Sequence, residues 1–268
     1  MSFKNIFKEV SKFFAIGCLV IVILFPLYYL LLYSLLPTHS FHEAKYGLVI
    51  QEWNWANFFG LFNSEFWIAV GYTFVFVGIL ICLRVITYSL AIAGLLKMPP
   101  TLQKIFLYFF LIISLIPEFS IYLSLQVVLN HLNIASSLFA VVTNAIFSFF
   151  SFTYVFNIAK HTATQKAKLI LNDNLKWHQK IVFVYLPKLK LAYFLLIIFT
   201  FISVWNDYLW PSFLLRSTPK TNITIWYLNL GITSGGILLN IQAAGATISV
   251  IIPLTIYAIF SRKINKFN

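Results

Sequence analysis

Few side chains in this sequence can do chemistry, and their placing is unusual. Glu118 and Asp207 are acids within long apolar runs, and Arg84 is a base within another. A charge in such a run is costly in hydrocarbon, so it should face protein or a water-filled cavity. Glu118 follows Pro117, which has no N–H to give the helical ladder. It reads either as a hydrogen-bonded group in a kinked interior or as a carboxylate lining a pathway. Arg84 is a candidate to neutralise Glu118 or to meet an anionic solute. Alternatively, the bilayer ends near Arg84 and the helix runs on into the cytoplasm. Trp205, Asn206 and Asp207 form a third candidate set, as packing and capping groups near a helix end or as pathway lining.

Catalytic constellations are missing. There is no GxxxxGK[ST] phosphate loop, no HExxH, no GxSxG and no Cys/His cluster. The two intramembrane acids stand on different helices, which gives acid–base catalysis little support. Cys18 and Cys82 have neither metal nor redox spacing and read as small apolar side chains. His39-x-x-His42-Glu43 lacks a third ligand in register and reads as ordinary polar loop. No metal or cofactor is expected on this chain.

The elements that must position these residues follow from composition. Of 268 residues, 60% are hydrophobic and only 10% charged, with mean hydropathy +0.88; soluble domains are nearer about 25% charged. An all-α, multi-pass membrane protein is the expected class. The net charge of +12 sits in short gaps between apolar runs, a membrane pattern and not a nucleic-acid one. The runs predict six helices, at about 13–36, 66–96, 105–129, 134–158, 191–215 and 237–260. The first follows Lys4, Lys8 and Lys12 and is too long for a signal-peptide core, so it is expected to stay as an uncleaved span with Pro26 inside. Trp53, Trp55 and Phe58, in the polar loop that follows, read as interfacial anchors. Placing both termini, 97–104 and 159–190 on one side puts 15 of the 19 Lys and Arg there. The positive-inside rule then makes both termini and the 159–190 loop cytoplasmic.

That loop is the most polar stretch, with seven lysines against the single acid Asp173. Thr162–Leu175 has an apolar edge of Ala163, Ala167, Ile170 and Leu171 at helical spacing, and Asp173-Asn174 would end such a helix. By charge alone it reads as a solvated connector. Its other reading is a handle on which an external ATPase pushes. An ion-coupled or facilitative carrier would instead need mid-membrane ionisable groups or internal repeats, which are sparse here. A membrane enzyme or assembly factor is the third class.

The spacing resembles the cytoplasmic loop of ABC importer permeases: EAA, three residues, Gly, nine residues, I-x-L-P. Here Asp173-Asn174-Leu175 and Val184-Tyr185-Leu186-Pro187 fall at that separation, with Trp177 between them. Lys168, Leu169 and Ile170 stand at the EAA positions and Asn174 at the glycine, so the glutamate is absent. Val204-Trp205-Asn206-Asp207-Tyr208-Leu209-Trp210-Pro211 resembles the WN[DE]-[FY]-L-W-P signature of the carbohydrate-importer branch, in its MalG-like, glycerol-3-phosphate-type subunit. Tyr88–Ala93 resembles the A-Y-A-L-A element, and Ile116-Pro117 the I-P of the third span. The likeness covers about 66–261, leaving 1–65 as tail, first helix and extracytoplasmic loop, and 262–268 as a cytoplasmic tail.

The resemblance implies an ABC type I importer permease fold in the plasma membrane, and the excess of Lys over Arg with abundant Asn, Ile and Phe points to AT-rich coding and a bacterial source. It implies a transport subunit and not an enzyme, with ATP and Mg on a partner ATPase dimer. A second permease subunit and an extracytoplasmic solute-binding protein or lipoprotein complete the implied assembly, set in membrane lipid. Ala163, Ala167, Lys168, Asp173, Asn174, Leu175, Trp177 and Pro187 are the implied coupling residues, Pro187 setting the turn back into the membrane. The implied solutes are sugars or polyol phosphates; as pathway lining, Trp205 would stack on a sugar face while Asn206 and Asp207 bond its hydroxyls.

Overall fold

The apolar runs become helices in a computed structural model that describes residues 3–39, 47–49, 52–166, 176, 179–215 and 219–265. The chain divides into two compact units, Met1–Trp67 with Thr224–Ile259, and Ile68–Ile223 with Phe260–Asn268.

In the first unit, α1 (Phe3–Leu35) is a 33-residue helix that carries Pro26 without breaking. At 1.5 Å per residue it is about 50 Å long, more than a bilayer core requires. Its flanks are almost wholly exposed until Leu32, Ser34, Leu35 and Leu36, which are buried. A helix end leaves carbonyls without partners, and here side chains and a loop amide supply them. Asn57 Nδ2 donates to the carbonyls of Ser34 and Leu36, both at 2.9 Å. Asn54 N–H donates to Leu35 at 2.8 Å, and Asn240 Nδ2 donates to Leu36 at 3.2 Å and Asn57 Oδ1 at 3.1 Å. Asn57 lies on α2 (Ala56–Phe59) and Asn240 near the start of the last helix. The rest of the unit holds a short helix (Ile223–Asn229), a two-residue hairpin pairing Ile232–Thr233 with Gly236–Ile237, and most of the final helix Leu239–Asn265.

The second unit starts within α3 (Ser64–Leu96). Then come α4 (Pro100–Ser114) and α5 (Glu118–His131), a 3-10 turn (Ala140–Ala145) and α6 (Phe149–Gln165). A π-helical turn (Lys180–Tyr185) leads into α7 (Leu186–Asn206), and α8 (Leu209–Leu215) follows. The core joins Tyr88, Ile92 and Leu95 of α3 to Phe152, Val155, Phe156 and Ala159 of α6 and to Leu189, Ala192 and Leu196 of α7. Ala159 and Ala192, both fully buried, keep the helices close, since neither carries more than a methyl group.

Three expected spans take another form. The span expected at 105–129 is two helices bent by 92° across Leu115-Ile116-Pro117. Pro117, extended at ψ 128°, does more than kink the helix. The span expected at 134–158 is no single helix either. Asn133, at φ 55°, ends α5 with Ile134 N–H donating back to the Leu129 carbonyl at 3.0 Å, the closure that a left-handed Asn permits. Its successor α6 begins only after Ser148, an extended N-cap whose Oγ accepts from Ser151 N–H. It runs to Gln165, inside the stretch expected to be loop. The span expected at 191–215 starts earlier, at Lys180, and stops at Asn206. Among the described residues, four helices are long and apolar enough to cross a membrane: Phe7–Leu35, Ser64–Leu96, Lys180–Trp205 and Leu239–Ser261. The bent pair raises this to five, against the six expected.

Candidate functional site

The second unit collects its polar groups where helices break. Arg84, 3% exposed near the middle of α3, points into protein. Its Nε and Nη2 donate to the Ala145 carbonyl at 3.1 and 2.6 Å, and its Nη1 donates to Thr200 Oγ1 at 2.8 Å. Thr200 passes its own proton to the Leu196 carbonyl at 2.7 Å. The guanidinium therefore closes the carbonyl end of the 3-10 turn and ties α3 to α7. It forms no ion pair with Glu118, and Cys82, Ile86 and Thr87 beside it on α3 are exposed. Glu118 opens α5 and is exposed.

The other end of the 3-10 turn is held by a second buried donor. Trp210, fully buried in the first turn of α8, donates from Nε1 to the Ala140 carbonyl at 3.0 Å and packs against Tyr122 and Phe213. The helix break between α7 and α8 is itself capped. Asp207 is extended, and its carboxylate accepts from Trp210 N–H, satisfying one of the N–H groups left free in the first turn of α8. Asn222 Nδ2 donates to the Asp207 carbonyl at 2.7 Å, and Thr73 Oγ1 accepts from Ile223 N–H at 2.9 Å. A small cavity lies beside these groups, with Val142 and Ala145 of the 3-10 turn on one wall and Ser203, Asp207, Pro211 and Asn222 on another.

The candidates thus separate by role. Trp205 is buried against Phe74 and Phe201, with ring centroids 5.9 and 5.2 Å away. Asp207 lies on the cavity as well as capping α8. Asn206, the last residue of α7, is exposed. Trp210, Thr200 and Asn222 were not among the sequence candidates. Trp210 sat inside the tryptophan-rich run, and Thr200 was a lone hydroxyl in an apolar stretch; each was a usable signal.

Of the coupling candidates, Ala167, Lys168, Asp173, Asn174, Leu175 and Trp177 lie outside the described residues, as does most of the helix expected at Thr162–Leu175. Ala163 is half-buried on the last turn of α6. Pro187 does not turn the chain. It lies in the first turn of α7, inside a helix continuous from Lys180 to Trp205. The missing N–H falls where the wider π turn has already shifted the hydrogen-bond ladder, so the helix runs through.

No family model matches the chain. It is 26% identical over 270 residues to a "Probable ABC transporter permease protein" of Mycoplasma pneumoniae, spanning 92% of this chain and 82% of that one. A similarly named protein of Mycoplasma genitalium is 22% identical over 272 residues, 95% of this chain and 85% of the relative. The fold matches a chain in the crystal structure of a bacterial ABC transporter that imports the acidic polysaccharide alginate, at TM-score 0.79 and 15% identity over 98% of both chains. The chain is thus similar to proteins named as ABC transporter permeases, and with four long apolar helices it is a multi-pass protein of the bacterial plasma membrane.

Proposed function

We propose that this chain is one permease subunit of an ATP-driven importer for sugars or related polyol phosphates. It would form half of a translocation pathway with a second permease and draw its work from an ATPase dimer. The observation that carries this reading is the likeness to named ABC permeases over nine-tenths of the chain. The shared fold with a chain of an alginate importer and the WNDYLWP run favour import and a hydroxyl-rich solute. In the pathway reading, exposed Glu118 and Asn206 face the solute, and Asp207 borders the cavity while holding α8. The coupling contact falls on the lysine-rich stretch between α6 and the π turn, with Asp173, Asn174, Leu175 and Trp177 as its centre.

Reconstitution tests both parts. The chain, assembled with the ATPase, second permease and binding protein that co-purify with it, should take up solute only with hydrolysable nucleotide. Nucleotide-independent uptake by this chain alone would sink the reading. Replacing Asp173 and Asn174 together by bulky residues should leave membrane insertion and ATP hydrolysis intact while abolishing uptake. Normal uptake in that variant would remove the coupling role from this stretch.

A further inference from the structure

The segment joining α1 to α3 is too polar to cross a bilayer, yet it exposes a run of large apolar side chains. Leu48, Val49, Trp53, Trp55, Phe59 and Phe62 are each more than half exposed, Phe59 reaching 81%. Two polar neighbours, Asn54 and Asn57, turn the other way. Asn57 is buried on the carbonyl end of α1, Asn54 Nδ2 donates to Asn57 Oδ1 at 3.2 Å, and Asn54 Oδ1 accepts from Ala56 N–H at 3.2 Å. The side-chain groups of Asn54 and Asn57 are therefore spent on backbone and on each other, and the rings of Trp53 and Trp55 lie side by side, centroids 5.9 Å apart, on the outside.

The depth of the segment can be read from α1. Tyr28 donates its hydroxyl proton to the Leu48 carbonyl. Tyr28 stands seven residues before the end of α1, about 10 Å back along the helix axis. The chain at 47–49 therefore lies beside the span and below its end, next to the exposed flank of Phe25, Leu27 and Leu31. At that level a soluble loop would hold its side chains against hydrocarbon.

We propose that residues 47–49 and 52–62 form an interfacial elbow seated in the leaflet that receives the C-terminal end of α1. Leu48 and Val49 enter the acyl region beside Tyr28, and Trp53, Trp55 and Phe59 lie at head-group level, where amphipathic rings are most stable. Lipid is favoured over a protein partner because the exposed surface continues the bare flank of the span. The described part of the elbow has no Lys or Arg and its one acid, Glu52, pairs with His39 at 3.4 Å. Seating by apolar contact and not by attraction to anionic lipid follows from that charge pattern.

The test uses the full-length chain in phosphatidylcholine vesicles. Cys18 and Cys82, both exposed, are replaced by alanine, and nitroxide labels are attached at Val49→Cys and, separately, Phe59→Cys. Collision with dissolved oxygen should exceed collision with a water-soluble nickel chelate at both sites, by the larger ratio at Val49→Cys. Adding phosphatidylglycerol should not change either ratio. Greater collision with the chelate would show an aqueous loop, and shielding from both reagents would show a protein cover; either overturns the proposal. Should the cysteine-free background fold poorly, the unaltered chain serves in vesicles of lipid brominated near the head group. Quenching there should fall when Trp53 and Trp55 are changed to Phe, and an unchanged loss of fluorescence would overturn the seating of these rings.

Discussion

Replacing Arg84 by Met decides whether this buried base serves the backbone or a carboxylate. The variant keeps an unbranched apolar stem of similar girth but is shorter and removes every donor. The Ala145 carbonyl then loses both of its guanidinium partners, and a buried acceptor left without one costs about 1–3 kcal/mol. Thr200 loses a charge-assisted bond but keeps its contact to Leu196. Relief from burying a charge offsets part of this loss, so the net destabilisation is expected at about 2 kcal/mol. Coupling with Thr200→Val in a double-mutant cycle should be about 1–2 kcal/mol, since the two residues share a bond. Coupling with Glu118→Gln should be under about 0.5 kcal/mol, and that exposed substitution alone should cost no more. Unfolding by sodium dodecyl sulfate in mixed micelles, followed by the fluorescence of buried Trp205 and Trp210, measures all of these. Strong coupling to Glu118 and none to Thr200 would refute the reasoning and restore the ion pair suggested by composition.

Trp210→Phe should retain the ring contacts with Tyr122 and Phe213 and remove one of two side-chain donors on the Ala140 carbonyl, Thr143 Oγ1 remaining at 2.7 Å; the same unfolding assay should register a loss of about 0.5–1.5 kcal/mol. In the first unit, Gly245→Ala should destabilise by about 1–3 kcal/mol, because an added Cβ would stand 2.4 Å from Leu230 Cδ1 and 3.0 Å from Tyr227 Cβ. A thermal shift in detergent checks it, and an unchanged midpoint would mean that these neighbours can yield.

The first, second and last long helices could be read from hydropathy to within a few residues at one or both ends, while the fifth runs from Lys180 to Asn206 against an expected 191–215. The first span ends at Leu35 where Leu36 was expected, and the second ends at Leu96 as expected. The third and fourth could not, and the cause is local. Hydropathy averages over a window, and the breaks at Pro117, Asn133 and Ser148 are flanked by apolar residues on both sides. A Ser–x–x–Ser cap between Phe147 and Phe149 leaves no dip for such an average to find, although its backbone consequence is a new helix start. The candidate site was half visible for the same reason. Residue type marked out Arg84, Trp205 and Asp207, but the Ala140 and Ala145 carbonyls on which Trp210 and Arg84 act have no signature in a sequence.

Those carbonyls explain why polar side chains gather in the second unit at all. Each broken helix frees backbone groups that lipid cannot satisfy, and each freed group shown here has found a side chain. Arg84 answers Ala145, Trp210 answers Ala140, Asn222 answers Asp207, and the Asp207 carboxylate answers Trp210 N–H. An ionisable residue inside an apolar run is therefore not by itself a mark of a solute path in this chain. Arg84 is committed to closing a turn, whereas Glu118 and Asn206, next to the breaks and exposed, retain side chains that a passing hydroxyl could meet. On this reasoning Glu118→Gln and Asn206→Ala should alter solute uptake with little change in stability, and Arg84→Met the reverse in order of severity; uptake lost in proportion to stability across all three would mean that the breaks, and not the exposed groups, shape the path.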